Sequence, residues 1–232
     1  MPEEINRVVA DHISEYLFAP TPFSRDNLLK EGIPASKIFV TGNTVVDAVY
    51  QNIEISKKKR SPLDPLDLDE NRFFLATAHR AENTDDPVRL RGIIEALQSL
   101  ASRYGMPVVY PMHPRTSKMI EKFSIDIDGV CVTPPVGYLD FLILESEARL
   151  ILTDSGGVQE EACILGTPCV TLRDNTERPE TLVVGSNILA GADANNILEK
   201  TSEMLQRRIT WDNPFGDGRA GEKIVNIIMK NV

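Results

Sequence analysis

Apolar residues in this chain cluster at two spacings. Short uninterrupted runs, Phe73 to Thr77, Val108 to Tyr110, Val130 to Thr133, Leu150 to Thr153 and Cys169 to Leu172, have the length and density of strands buried on both faces. Between them lie amphipathic stretches with helical spacing. The clearest is Val88 to Arg103, with Leu90, Ile93, Ile94, Leu97 and Leu100 on one side. Further helices are predicted over Thr116 to Phe123, Tyr138 to Ser146, Val158 to Leu165, Ala194 to Gln206 and Gly221 to Lys230, with a short strand over Asn187 to Leu189. Strands alternating with helices across short loops predict an α/β fold with a doubly wound parallel sheet.

The first 55 residues differ. They offer strands at Tyr16 to Ala19 and Lys37 to Thr41. Helices are predicted near the start (Ile5, Val8, Val9 and Ile13 on one face), over Ser24 to Glu31 with Ser24 as N-cap, and over Val45 to Ile55. Two strands do not close a core by themselves. Residues 1–55 therefore read as the tail end of a larger amino-terminal Rossmann-like domain. Residues 56–71, polar and carrying Pro62 and Pro65, read as a linker, and 72–232 as a second Rossmann-like domain.

Residues 150–166 centre the argument. A buried strand runs into Asp154-Ser-Gly-Gly, read as a tight glycine turn, and a helix opens at Val158. Glycines before a helix let backbone N–H groups face an anion, and phosphate is the expected one. An ordinary strand–turn–helix with Glu160 and Glu161 in its first turn accounts for the glycines equally well. The neighbouring strand ends add weight. They carry His79, Arg80, Glu82 and Asn83, then His113, then Arg173, Glu177 and Arg178. In doubly wound sheets, ligands bind outside the strands' carboxyl ends. The pattern predicts a cleft for an anion and a sugar. Taken singly, His113 reads as a capping or packing residue, and Arg173 and Arg178 as solvated or as partners of Asp174 and Glu177.

Charge narrows the partners. A net charge of −9 argues against nucleic acid. No apolar run is long enough to span a bilayer, so no membrane partner is expected. Cys131, Cys163 and Cys169 lack metal-type spacing and read as buried residues of a reducing compartment, the cytoplasm.

The motifs Thr77-Ala-His-Arg-Ala-Glu-Asn83, Asp154-Ser-Gly-Gly-Val-Gln-Glu-Glu161 and Arg173-Asp-Asn-Thr-Glu-Arg-Pro-Glu180 resemble the non-hydrolysing UDP-N-acetylglucosamine 2-epimerases. Phe18-Ala-Pro-Thr21, Val40-Thr-Gly-Asn-Thr44 and Asn213-Pro-Phe-Gly-Asp-Gly218 fit the same family, so the resemblance runs the length of the chain. It implies a two-domain fold of the GT-B glycosyltransferase type, and interconversion of UDP-GlcNAc and UDP-ManNAc by elimination and re-addition of UDP, with no metal or redox cofactor. Position by position, it implies that Ser155, Gly156 and Gly157 meet the phosphates and Glu161 the ribose. Phe141 and Arg178 fall near the nucleotide, and His79 near the leaving group. Arg80 and His113 fall where an activating second UDP-GlcNAc binds. Glu3 and Arg7 fall in the catalytic cleft. The family's first domain extends well over a hundred residues upstream of Pro2 and holds two further acids of the catalytic set. The expectation is therefore that this chain alone is inactive. A homo-oligomer, a dimer, is also expected. The competing readings are a GT-B sugar transferase and a non-catalytic UDP-binding or assembly module.

Overall fold

The computed structural model describes residues 2–58, 61–207 and 210–231, with Pro2, Glu3 and Asn231 described by backbone alone. In chain order the elements are α1 (Pro2–Ile13), β1 (Leu17–Ala19), α2 (Pro22–Lys30), β2 (Ile38–Val40), α3 (Thr44–Ser56), β3 (Phe74–Thr77), α4 (Ala81–Thr84), α5 (Pro87–Tyr104), β4 (Val108–Pro111), α6 (Pro114–Lys122), β5 (Cys131–Thr133) and α7 (Tyr138–Glu147). They continue with β6 (Leu150–Thr153), α8 (Gly156–Leu165), β7 (Cys169–Thr171), α9 (Pro179–Val183), β8 (Asn187–Leu189), α10 (Ala194–Gln206) and α11 (Ala220–Asn231). They form two compact units, Met1–Gln51 with Asn213–Val232, and Asn52–Asp212.

In the first unit β1 and β2 pair in parallel, Leu17 beside Ile38 and Ala19 beside Val40. Leu17, Ala19, Ile33 and Ile38 make a small core, with Leu28 packed on it. The predicted second helix begins earlier than Ser24. Thr21 is its N-cap, accepting the Ser24 N–H, because Pro22 fits the first helical position with its fixed φ.

Residues 213–232 were expected with the second domain, but they cluster with the first unit. The Asn43 N–H donates to the Phe215 carbonyl at 2.7 Å. Asp47 accepts the Ala220 and Gly221 N–H groups, each at 3.0 Å, and so caps α11. Gly42, at φ +89°, lies so close to Gly216 and Phe215 that a Cβ there would come within 3.1 Å of the Phe215 carbonyl oxygen.

The second unit is a six-stranded parallel sheet in the order β5-β4-β3-β6-β7-β8. Its strands are apolar runs because both faces are covered. Phe74, Ala76, Leu150 and Leu152 point into one core with Leu90, Ile93, Ile94 and Leu97 of α5. Phe73, Leu75 and Ile151 point into the other with Leu144 of α7 and Ala162 of α8. Part of the expected 56–71 linker belongs to this second core. Leu63 is buried in it and Leu66 and Leu68 pack against it, so this stretch is a strap on the sheet rather than a free tether.

The helix after β6 opens two residues before the expected Val158. Ser155, at φ −91° and ψ 125°, is the N-cap, and Gly156 and Gly157 are the first helical residues. Neither glycine has a positive φ, so no tight glycine turn is present.

Candidate active site

The strand order makes β3 and β6 neighbours while their onward connections run to opposite sides, β4 on one and β7 on the other. Loops that diverge in this way leave a crevice at the carboxyl edge. The loop after β3 supplies His79 and Arg80, and the loop after β6 supplies Asp154 and Ser155.

Asp154 ties the two loops together. It is fully buried. Its carboxylate accepts the His79 N–H at 3.1 and 3.0 Å, the Arg80 N–H at 2.9 Å and the Asn83 side-chain amide at 3.0 Å. His79 Nδ1 stands 3.4 Å from the same carboxylate, with the imidazole half exposed. The Ala78 carbonyl, one residue earlier, accepts the Tyr110 hydroxyl at 2.7 Å and the Thr116 hydroxyl at 2.9 Å. Burial, with Asp154's charge, holds the Tyr110 phenol above its usual range, so it remains a donor.

The start of α8 faces a set of charges. Arg173 is buried and donates to Glu82 at 2.7 Å and to Glu177 at 3.3 Å. Burial works against its charge, but Glu82 and Glu177 more than offset that and hold the guanidinium above its usual pKa. Arg80 Nη2 lies 3.9 Å from the other Glu177 oxygen. That oxygen would be 3.7 Å from a Cβ added at Gly156, and the Arg178 guanidinium carbon 3.9 Å. An anionic group at a helix N-terminus among three arginines is the arrangement that suits phosphate. The Arg178–Glu160 contact, between a half-buried guanidinium and a buried carboxylate, is 2.9 Å, an ion pair without the alignment of a hydrogen bond.

A cavity of about 270 Å³ adjoins this edge, walled by Tyr110, Val136 and Val158 and reached by His79, His113 and Phe141. His113 is also the N-cap of α6, its Nδ1 accepting the Arg115 N–H at 3.1 Å, so the capping reading holds alongside the placement. Roomier hollows, about 610 Å³ between the first turns of α5 and α10 and about 720 Å³ in the first unit, contain none of the expected residues except Arg7 in the latter.

Glu161, in the second turn of α8, accepts the Tyr138 hydroxyl at 3.0 Å. Burial raises its pKa. Behind it stands Glu145 on α7, fully buried. Burial and then the charge of Glu161 push the Glu145 carboxyl well above its usual value. The sequence reading missed Glu145 and Tyr138, and it placed Asp154 at the cleft edge without its anchoring role. For Glu145 a signal existed, since it is the one charge within Phe141-Leu-Ile-Leu-Glu145.

His79, Arg80, His113, Phe141, Ser155, Gly156, Gly157, Glu161 and Arg178 thus all belong to the second unit. Glu3 and Arg7 belong to the first. Arg7 is held there by Glu4 at 2.7 Å, Asp11 at 2.8 Å and Glu31 at 2.8 Å, and the Glu4 and Glu31 bonds keep it well above its usual pKa. The side chain of Glu3 lies outside the described residues. Among the described residues, no cluster of three or more His, Cys, Asp or Glu has the geometry to hold a metal ion. No helix among them is long and apolar enough to cross a membrane.

The profile of the UDP-N-acetylglucosamine 2-epimerase family matches residues 1–229. The chain belongs to this family. A UDP-N-acetylglucosamine 2-epimerase of Methanocaldococcus jannaschii is 50% identical over 236 residues, a match covering 98% of this chain and 64% of the relative. A UDP-2,3-diacetamido-2,3-dideoxy-D-glucuronate 2-epimerase of Pseudomonas aeruginosa is 43% identical, the match covering 99% of this chain and 64% of the relative. The crystal structure of the M. jannaschii UDP-GlcNAc 2-epimerase with UDP-GlcNAc and UDP superposes with a TM-score of 0.87 at 48% identity, covering 99% of this chain and 65% of that one. The fold is thus of the α/β GT-B type seen in this epimerase family. The chain spans just under two thirds of the length of these relatives.

Proposed function

We propose that this chain is the nucleotide-binding part of a UDP-GlcNAc 2-epimerase, an isomerase that interconverts UDP-GlcNAc and UDP-ManNAc. The observation that carries the reading is the start of α8. Neither glycine has a positive φ, and a Cβ added at either would meet its neighbours only at ordinary contact distances of 3.7 to 3.9 Å, so the fold does not demand them there, whereas close approach of a diphosphate does.

In this reading the α8 N–H groups at Gly156 and Gly157 hold the pyrophosphate, with the side chain of the N-cap Ser155 beside them, its own N–H being donated to the Thr153 hydroxyl at 3.0 Å. Arg178 adds positive charge there, Glu161 accepts the ribose hydroxyls, and Phe141 lies near the nucleotide. UDP leaves C1 as the C2 proton is removed, giving a glycal. UDP then returns and C2 is reprotonated on the other face. Charge on the departing diphosphate grows as the C1–O bond breaks, so donors already aimed at it stabilise the transition state. His79, its N–H held by Asp154 and its Nδ1 3.4 Å from the same carboxylate, acts beside the leaving group. Arg80 and His113 serve an activating second nucleotide sugar. Glu3 and Arg7 line the catalytic cleft, with further acids supplied from outside these 232 residues. On this account the chain alone does not turn over, because acid–base groups that act as a unit lose most of their effect when one is missing. Three free thiols suit a reducing compartment such as the cytoplasm.

Calorimetry with UDP tests the binding half: the chain binds UDP, and Gly156→Val abolishes binding. Equal affinity in both proteins removes α8 from the site. Deuterium exchange at C2 tests the chemistry, with UDP-GlcNAc offered beside the diacetamido-glucuronate nucleotide because the P. aeruginosa relative is 43% identical. In a complete enzyme, His79→Ala lowers turnover far more than stability. The reverse result makes His79 a packing residue.

A further inference from the structure

Glu145 is a residue that the nucleotide-site reading leaves unused. It lies in the last turn of α7, which packs against α8, and it is fully buried. Neither carboxyl oxygen has a hydrogen-bond donor among the described residues. A buried carboxylate without donors is costly, because nothing replaces the water that solvates it when exposed. Its polar neighbour within hydrogen-bonding reach is another carboxyl, Glu161, which also receives the Tyr138 hydroxyl. Two carboxylates cannot bond each other. A carboxylic acid and a carboxylate can, and the acid must be the more deeply buried member, Glu145.

We propose that Glu145 is a positioning residue: as a neutral acid it donates a hydrogen bond to Glu161 and, with Tyr138, fixes the Glu161 carboxylate for the ribose hydroxyls of the bound nucleotide. The second half of this statement rests on the function proposed above. Two donors restrict the rotamer of Glu161. A carboxylate has lone pairs beyond those two bonds, and a cis-diol can donate to them. The other titratable groups around the pair are Glu160 on α8 and Cys169 on β7, and the Cys169 thiol is held neutral by burial.

The test compares the parent with Glu145→Gln, which keeps a donor, and Glu145→Leu, which removes it at similar volume. Infrared spectroscopy of the ligand-free chain at neutral pH reads the first half. The parent shows the carbonyl band of a protonated carboxylic acid, and both variants lack it. A parent without the band, or a band that survives in Glu145→Gln, overturns the proposal whether or not nucleotide binds. Calorimetry with UDP and 2′,3′-dideoxy-UDP reads the second half. The parent prefers UDP, Glu145→Gln keeps most of that preference, and Glu145→Leu lowers it by about tenfold. A merely structural Glu145 would move stability and leave the ratio unchanged, which overturns the positioning role. A parent that binds UDP without regard to ribose hydroxyls overturns it as well. A parent that shows the acid band yet binds no UDP refutes the nucleotide reading and the positioning role, and leaves the acid–carboxylate pair established.

Discussion

Asp154 receives the backbone N–H of His79 through both carboxylate oxygens, at 3.1 and 3.0 Å, while its edge also lies 3.4 Å from the same residue's Nδ1. One buried side chain on β6's loop therefore sets the main chain of the histidine on β3's loop and lies beside its ring. Asp154→Asn replaces one acceptor oxygen by an amide that faces donors. The expected cost is about 2–3 kcal/mol, since hydrogen bonds to a buried charge are among the stronger ones. Urea unfolding followed by Trp211 fluorescence measures it. Trp211 is the chain's single tryptophan and bonds the Cys163 carbonyl in the same unit. An unchanged midpoint would show that the loop does not depend on Asp154.

Gly92 gives a prediction in which two effects oppose each other. Alanine is the better helix former by about 1 kcal/mol. A Cβ at Gly92, however, would lie 2.4 Å from the Ala192 carbonyl oxygen, which is backbone and cannot rotate away. Overpacking of this kind costs about 1–3 kcal/mol and outweighs propensity. Gly92→Ala is expected to lower the urea midpoint, and a raised midpoint would mean that α5 and the loop before α10 separate easily.

Gly156 makes the opposite case. An added methyl would meet its nearest atoms at 3.7 and 3.9 Å, ordinary contact distances. Gly156→Ala should leave stability within about 1 kcal/mol of the parent, with propensity on its side. On the proposed function the same methyl stands where the diphosphate approaches, so UDP affinity should fall about tenfold or more. Loss of stability with retained affinity would assign the glycine to the fold instead.

The strands were legible because burial on both faces leaves a local mark. Leu150 to Thr153 and Asn187 to Leu189 read as strands and are strands. Features fixed by distant partners were not legible. The four-residue α4 follows an Arg80 whose N–H is anchored by Asp154, 74 positions away. Residues 213–232 join the first unit through Asp47, 173 positions from Ala220. At the site, the strand-end histidines and arginines announced themselves, but their partners did not. Arg173 and Arg178 read as solvated or paired with Asp174 and Glu177; Arg173 does pair with Glu177, while Asp174 pairs with Arg89. Asp154 read as part of a glycine motif, and nothing local revealed that it anchors the neighbouring loop.

The first unit exposes an apolar stripe on α1. Ile5, Val9 and Ile13 are 65%, 54% and 79% exposed, and the sheet beside it has two strands. Contiguous apolar surface and open strand edges favour association. Light scattering of the purified 232-residue chain should give a mass above that of one chain, and Ile5→Lys with Ile13→Lys should lower it. A monodisperse monomer would show that this stripe is tolerated in water.

Glu145 also sets a pH dependence whose sign is fixed. Its folded pKa is raised well above the ordinary 4.5 that it has when unfolded. Between those two values the folded chain holds a proton that the unfolded chain has released. Stability rises with pH where the unfolded state binds more protons, so here it falls as pH rises. The window opens near the unfolded value of 4.5 and closes at the raised folded value. The slope approaches about 1.4 kcal/mol per pH unit for the one retained proton. Other groups titrate over the same range, so the comparison with Glu145→Gln isolates this one. The variant cannot titrate there, and its stability relative to the parent should improve steadily as pH is raised through the window. Urea unfolding at successive pH values measures that difference. A difference that stays flat from pH 5 to 8 would mean that Glu145 ionises in the folded chain as readily as in water.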